Sequence, residues 1–117
     1  MIQGVHHFAL ICSAEASVTF YKKLGFSEIF RKRRTYDTVV LLEGHGVRIE
    51  IFIDPNHPAR ATAPENMGLR HLALKVGNIE AAAEELELKI GPIMTDWVGA
   101  RFAFAADPDG LPVELHE

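Results

Sequence analysis

The stretch His7-Phe8-Ala9-Leu10 recurs 64 positions later as His71-Leu72-Ala73-Leu74. A second pair of segments, Ile49-Glu50-Ile51 and Val113-Glu114-Leu115, is separated by the same distance. Each copy therefore places one histidine 43 residues before one glutamate. A repeat of half the chain length indicates two similar modules, and it predicts that each module contributes two ligands to one shared site.

The four repeated polar residues belong to the types that bind first-row divalent metal ions. Two imidazoles and two carboxylates are hard to borderline ligands, and they suit an ion that keeps positions open for water or substrate. The predicted metal ligands are therefore His7, Glu50, His71 and Glu114. For any one of them alone a structural role is the better interpretation, whereas the shared register of all four favours a common ion.

The two glutamates lie inside apolar strand patterns, Glu50 between two isoleucines and Glu114 between a valine and a leucine. Side chains at i and i+2 share one face of a strand, so each glutamate points away from its apolar neighbours. A carboxylate in such a stretch is costly unless it is paired, hydrogen-bonded or bound to a metal. A shared ion explains both positions, and the alternative is a repeat that has kept its symmetry without its chemistry.

The composition indicates a small globular protein. The chain has 117 residues, a mass of 13.0 kDa and a formal net charge of −4. These values predict a single domain, residues 1–117, and they argue against nucleic-acid or anionic-membrane partners, which usually require a basic face. The single cysteine, Cys12, and the lack of a signal-peptide pattern predict a cytoplasmic protein without disulfides. No apolar run reaches a membrane-spanning length.

The hydrophobic pattern predicts an α+β fold with the order βαβββ, linker, βαβββ. The two modules are residues 1–54 and 69–117, and a loop with three prolines, residues 55–68, joins them. Ser13 and Asn78 are the predicted helix N-caps, and Gly25 is the predicted C-terminal stop of the first helix. The predicted strands are 5–12, 27–33, 38–42, 47–53, 70–76, 93–97, 101–106 and 111–116, and the predicted helices are 14–24 and 79–89.

Four motifs carry a resemblance to a known family. They are Val5-His6-His7-Phe8-Ala9-Leu10, Phe20-Tyr21-Lys22-Lys23-Leu24-Gly25-Phe26, Gly68-Leu69-Arg70-His71-Leu72-Ala73-Leu74 and Asp107-Pro108-Asp109-Gly110-Leu111-Pro112-Val113-Glu114-Leu115. Together they resemble the vicinal-oxygen-chelate superfamily of glyoxalase I, fosfomycin and bleomycin resistance proteins, epimerases and extradiol dioxygenases. The chain looks most similar to small bacterial lactoylglutathione-lyase-like proteins.

The resemblance implies a glyoxalase-like fold in which two modules form a curved mixed sheet, a cup around one divalent ion (Ni, Zn, Co, Mn or Fe). It also implies a homodimer whose modules pair within one chain or between chains. By position, the four predicted ligands match those of the family. The extradiol dioxygenases use two histidines and one glutamate, so Glu50 favours the glyoxalase pattern.

The implied activity is that of a lyase or isomerase that abstracts a proton from a small hydroxy-carbonyl or hemithioacetal substrate. Glu114 is the preferred base and Glu50 the alternative. Two other functional classes stay open: a small-molecule resistance or binding protein, and a metal-dependent transferase or dioxygenase.

Substrate contacts are predicted at two cations. Lys75 shares the strand face of His71, and Arg101 begins an apolar strand, so both are candidates for binding an anionic group, with a salt bridge at the rim as the equal alternative. In bacterial glyoxalase I the positions of Ile11 and Asp54 usually hold an arginine and an asparagine. Their replacement predicts a weakened preference for glutathione. The basic run Arg31-Lys32-Arg33-Arg34 is interpreted as a solvated edge that prevents sheet pairing.

Overall fold

The computed structural model describes all residues 1–117, and both halves of the chain have the order βαβββ. The chain divides into two compact units, Met1–Pro58 and Ala59–Glu117. This architecture confirms the predicted α+β fold of two tandem modules. The elements are β1 Phe8–Cys12, α1 Ala16–Lys23, β2 Ser27–Arg33, β3 Thr38–Gly44, β4 Val47–Ile53, β5 Leu72–Lys75, α2 Ile79–Glu85, β6 Met94–Thr95, β7 Arg101–Ala106 and β8 Pro112–His116.

The first unit contains one mixed four-stranded sheet with the order β1-β4-β3-β2. β1 runs parallel to β4, and the other neighbours are antiparallel. Along β4 the buried residues Ile49 and Ile51 alternate with half-buried ones. This alternation places Glu50 on the face opposite the core, as the sequence pattern predicts.

The C-terminus of α1 forms a tight stop around Gly25. The amide of Gly25 donates to the carbonyl of Lys22 (3.0 Å), and the amide of Phe26 donates to that of Tyr21 (3.1 Å). These two bonds form a Schellman motif, which needs a left-handed residue after the helix, and Gly25 supplies it with φ of 99°. The predicted stop at Gly25 is therefore confirmed.

The start of α1 differs from the prediction. The helix begins at Ala16, and its N-cap is Glu15, whose side chain makes no capping hydrogen bond. Ser13 was predicted to cap this helix, and that prediction is wrong. The chain bends through residues 13–15 first, and the amide of Ser17 donates to the carbonyl of Ala14 (3.2 Å) in a tighter turn.

The second unit repeats the first, with a mixed sheet of order β5-β8-β7-β6 and a parallel β5–β8 pair. Its core is a cluster of the buried side chains of Ile79, Ala103 and Leu115. Partly buried apolar residues that pack against this cluster are Val76, Ala82, Leu88 and Ile90. β8 therefore turns Val113 and Leu115 inward and Glu114 to the other face.

Helix α2 begins as predicted and ends early. The side chain of Asn78 accepts a hydrogen bond from the amide of Ala81 (2.8 Å), which confirms the predicted N-cap. The predicted end at Lys89 is wrong, since the helix stops at Glu85 and Glu87 has a positive φ of 53°. The turn lets Leu88 and Ile90 pack against the core, and this burial outweighs about one further helical turn.

Four strands are shorter than predicted, and the linker has little regular structure. β5 is Leu72–Lys75 instead of 70–76, and β8 begins at Pro112 instead of residue 111. β1 begins at Phe8 instead of residue 5, and β6 keeps only Met94–Thr95 because Asp96 starts a turn. Within the predicted loop 55–68 the structure has an isolated bridge between Thr62 and Glu65. Neither helix has the length and apolar character that crossing a membrane requires.

A bidentate ion pair closes the turn between β2 and β3. Arg34 Nε and Nη2 donate to Asp37 Oδ1 and Oδ2, each at 2.6 Å, and the amide of Arg34 donates to the carbonyl of Asp37 (2.8 Å). The side chain of Asp37 is 7% exposed. These hydrogen bonds, with the Arg34 charge, hold the pKa of Asp37 below its ordinary value of 3.8.

We expect the stability that this pair contributes to depend on pH. Because the folded-state pKa of Asp37 is depressed, the contribution is present above pH 3.8 and is lost as the pH falls through the folded-state pKa. Asp37→Asn removes the titrating group, so the wild type should exceed the variant in unfolding free energy at neutral pH and lose that advantage in acid. Urea unfolding at a series of pH values measures this, and a pH-independent difference would contradict the assignment.

Candidate active site

The predicted ligands lie on equivalent strands of the two units. Register places Ala9 beside Glu50 in the β1–β4 pair and Ala73 beside Glu114 in the β5–β8 pair. His7 and His71 each precede the registered alanine by two residues, just before the strand begins. The parallel pairing in each unit therefore puts one histidine and one glutamate on neighbouring strands.

In the second unit the histidine and the glutamate face each other. His71 Nε2 lies 3.9 Å from Glu114 Oε1, which is too far for a hydrogen bond. Neighbouring ligands of one tetrahedral or octahedral ion with bonds of about 2.0–2.2 Å lie roughly 2.8–3.6 Å apart, so these two atoms would have to move closer to bind the same ion. Their side chains are 29% and 13% exposed, and the ring of His71 packs edge-on against Phe104 with centroids 5.3 Å apart. The donor atoms are therefore of the types that bind a divalent ion, and their spacing is a few tenths of an ångström wider than adjacent ligands have.

In the first unit the two residues are less constrained. His7 is exposed, and its Nδ1 lies 2.8 Å from Nδ1 of His6. The sequence pattern placed these two histidines on opposite faces of a strand, but the strand begins only at Phe8, so their rings meet instead. Glu50 is half-buried on β4, in the electrostatic field of Arg34. Neither unit gathers three or more His, Cys, Asp or Glu side chains into a group that could hold a metal ion.

A cavity of about 960 Å³ lies in the second unit beside His71 and Glu114. Neighbouring residues of β7 and β8 line one side of the cavity. Phe104 lies opposite Glu114 in the strand register, and Phe102 lies opposite His116. Its lining combines aromatic rings with both acidic and basic groups. The lining includes Arg60, Glu65, Arg70, His71, Lys89, Asp96, Trp97, Phe102, Phe104, Glu114 and His116.

His116 also lines the cavity, and it lies outside the set of site residues predicted from the sequence. Its Nε2 lies 3.1 Å from Asp96 Oδ2, its Nδ1 donates to the carbonyl of Glu117 (2.8 Å), and its ring stacks on Phe102. The hydrogen bond that His116 donates to the Asp96 carboxylate is the main cause that raises the pKa of His116 above its ordinary value. The signal that identifies it is the strand period, because His116 lies two residues after Glu114 and shares its face.

The Asp96 carboxylate that holds His116 is itself held by a turn. Asp96 Oδ1 accepts hydrogen bonds from the amides of Val98 (3.0 Å) and Ala100 (2.9 Å). The bond from Ala100 is the largest cause that lowers the pKa of Asp96, and the bond from His116 adds to it. The turn and β8 are thereby connected beside the cavity.

The two predicted substrate-binding residues lie away from the cavity lining. Lys75 is exposed at the end of β5. Arg101 forms ion pairs with Glu80 and, at 3.6 Å, with Glu117. Because Glu117 Oε2 also accepts from the amide of Ile79, Arg101 connects the start of α2 to the end of the sheet.

The two positions that differ from bacterial glyoxalase I lie in the first unit. Ile11 is 58% exposed on β1 and carries no charge. Asp54 accepts a hydrogen bond from the amide of Asn56 (2.9 Å), and its other oxygen lies 3.2 Å from His57 Nε2. Asp54 therefore stabilises the turn after β4.

Comparisons with known proteins agree with this architecture. The Bacillus subtilis protein YwkD is 45% identical, and the alignment covers 100% of this chain and 98% of that protein. A glyoxalase family protein from Enterococcus faecalis has a solved structure with a TM-score of 0.89 and 37% identity, covering 99% of this chain and 98% of the other.

A more distant structure shares the fold alone. The lactoylglutathione lyase from Agrobacterium tumefaciens has a TM-score of 0.69 and 19% identity, covering 99% of this chain and 94% of that one. The family model of the Glyoxalase/Bleomycin resistance protein/Dioxygenase superfamily matches residues 4–115, nearly the whole chain. With the tandem βαβββ units and the 45% identical relative, this match shows that the chain belongs to that superfamily.

Proposed function

We propose that this protein is a metal-dependent lyase or isomerase acting on a small hydroxy-carbonyl or hemithioacetal substrate. The observation that carries the proposal is the His71–Glu114 pair, which faces a cavity with its donor atoms 3.9 Å apart. Superfamily membership supports the same chemistry. The remaining ligands of the proposed ion are His7 and Glu50, supplied within one chain or by the second chain of a homodimer. A cytoplasmic location is part of the proposal.

A bound divalent ion would supply Lewis-acid polarisation of two adjacent substrate oxygens. The protein would supply the proton acceptor, and we assign this role to Glu114, with Glu50 as the alternative. The Glu114 side chain is mostly buried beside its cross-strand neighbour Phe104, and it lines the cavity, where a bound substrate can reach its carboxylate.

The substrate side of the proposal includes the cations predicted from the sequence. Lys75 and Arg101 remain candidates for an anionic group. Lys75 has no carboxylate partner among the ion pairs, whereas Arg101 would have to leave Glu80 and Glu117 to reach a substrate.

We expect His7→Ala and His71→Ala each to reduce affinity for the divalent ion by more than about a hundredfold. Losing a residue that only hydrogen-bonds to a metal ligand already costs about 10- to 100-fold in affinity, and losing a ligand should cost more. Both variants should remain folded, because neither side chain is part of the core. Calorimetric titration with the metal ion gives the affinity and the number of ions bound per chain. His57→Ala, which removes an exposed histidine outside the ligand set, is the matched control.

One outcome of this titration would contradict the proposal. If His7→Ala still binds one ion with the wild-type affinity, the second unit binds alone and no four-ligand site exists. Refolding the two variants together also tests the pairing of modules. If the units pair between chains, half of the dimers are mixed. Each mixed dimer then has one site with both histidines, so about a quarter of all sites are restored. If the units pair within a chain, no site is restored.

We expect Glu114→Gln to lose about a hundredfold or more in turnover and much less in metal affinity, because an amide ligates weakly but does not accept a proton. Isomerisation of methylglyoxal–thiol adducts by metal-loaded protein measures the first quantity, and metal titration the second. Glu84→Gln, on an exposed position of α2, is the control. Equal losses of turnover and metal would make Glu114 a ligand only, and a larger turnover loss in Glu50→Gln would transfer the base to Glu50.

We expect glutathione to be a poor thiol for this protein. Ile11 supplies no charge for the glutathione carboxylates, and Asp54 adds a negative charge. Losing one charge-assisted hydrogen bond weakens affinity by about ten- to a hundredfold. Comparing kcat/KM for the glutathione hemithioacetal with that for other thiol adducts measures the preference. Glutathione turnover as efficient as that of the best adduct would disprove it.

A further inference from the structure

The cavity of the second unit is lined by three Lys or Arg residues and three carboxylates, and two of these cations form no ion pair. Glu65 pairs with Arg70 Nη2 at 2.9 Å, and Asp96 pairs with His116 at 3.1 Å. The remaining lining carboxylate is Glu114, which belongs to the proposed metal site. No ion pair in the structure includes the other two cationic lining residues, Lys89 and Arg60.

The backbone around Lys89 is held in place. Leu88 and Ile90 on either side pack against the core of the unit, and the amide of Gly91 donates to the carbonyl of Phe104 (2.9 Å). Lys89 itself is exposed and lines the cavity. Because its neighbours are anchored, the backbone of Lys89 is fixed beside the cavity, and only its side chain has to be ordered when a ligand binds.

The guanidinium of Arg60 is held by backbone carbonyls and forms no ion pair, although its charge, after that of Arg70, helps to lower the pKa of Glu65. Arg60 Nη2 donates to the carbonyl of Arg70 (2.8 Å) and, more weakly, to that of Leu69 (3.5 Å). Both acceptors are neutral, and the guanidinium has further N–H donors. Arg60 therefore keeps its charge and the donors that a carboxylate or phosphoryl group needs.

Aromatic rings provide the rest of the binding surface. Phe102 and Phe104 meet edge-to-face with centroids 5.9 Å apart on β7. Trp97 is 97% exposed at the turn that Asp96 stabilises, and it also lines the cavity. An exposed indole beside a cavity offers a flat apolar surface for a ligand.

We propose that Lys89 and Arg60 form an anion-binding subsite of this cavity, and that the substrate carries a carboxylate or phosphoryl group on an apolar or aromatic body. That the ligand is the substrate rests on the proposed function. The subsite itself consists of protein groups only and requires no metal.

The test uses metal-free full-length protein and phenylphosphonate as the probe. Trp97 is the only tryptophan, so its emission reports directly on occupation of the cavity. We expect a saturable change in emission, an affinity that falls with added salt, and about five- to tenfold weaker binding by Lys89→Met, as for loss of one partly exposed charged contact. Arg60→Gln should weaken binding in the same direction.

Matched controls make the result decisive. Lys32→Met removes an exposed lysine of the first unit that forms no ion pair, and it should bind like the wild type. Benzyl alcohol, which has the ring without the anion, should bind more weakly and without dependence on Lys89. The proposal is overturned if Lys89→Met binds phenylphosphonate like the wild type, if Lys75→Met is the variant that weakens it, or if both probes bind equally. None of these outcomes depends on metal-supported activity.

Discussion

The alternation of side chains along β4 and β8 places both candidate glutamates on the face opposite the hydrophobic core. In each strand two buried aliphatic residues flank one glutamate, Ile49 and Ile51 around Glu50 and Val113 and Leu115 around Glu114. Burying each aliphatic side chain contributes about 1.5–3 kcal/mol, and burying an unpaired carboxylate costs several kcal/mol. A shift of one residue would reverse both effects at once, so the register that keeps the glutamates out of the hydrophobic core is strongly preferred.

The parallel strand pairing in each unit brings one histidine near the glutamate, but the histidine side chain is held more firmly in the second unit than in the first. Both histidines precede their strands, so the backbone hydrogen bonds of the sheet do not hold them directly. His71 gains a fixed position from its contact with Phe104, whereas His7 is exposed and contacts only the neighbouring His6 ring among the aromatic residues. The second unit is therefore better organised to bind a ligand, and the first keeps more conformational freedom at its histidine.

Much of the fold follows from local patterns in the sequence. β2, β4 and β7 have the predicted bounds, and the stop at Gly25 and the cap at Asn78 are confirmed, because strand alternation and helix capping act over a few residues. The end of α2 was missed because the packing of Leu88 and Ile90 against the core is a tertiary effect. The sequence did not predict the cavity residues His116, Lys89 and Arg60 for the same reason. They come from separate segments, which only the folded unit brings to one cavity.

The repeat also shows how two similar units acquire different roles. The position 64 residues before His116 is Phe52, and the cation near it is Arg34, whose guanidinium lies 5.6 Å from the Phe52 ring centroid and is bound by Asp37. In the first unit the charge of Arg34 is therefore bound by Asp37 within a turn. In the second unit Lys89 and Arg60 line the same cavity as Glu114 and form no ion pair. A substrate with a negative group would consequently be held by the second unit, which favours Glu114 over Glu50 as the residue closest to the reacting atoms.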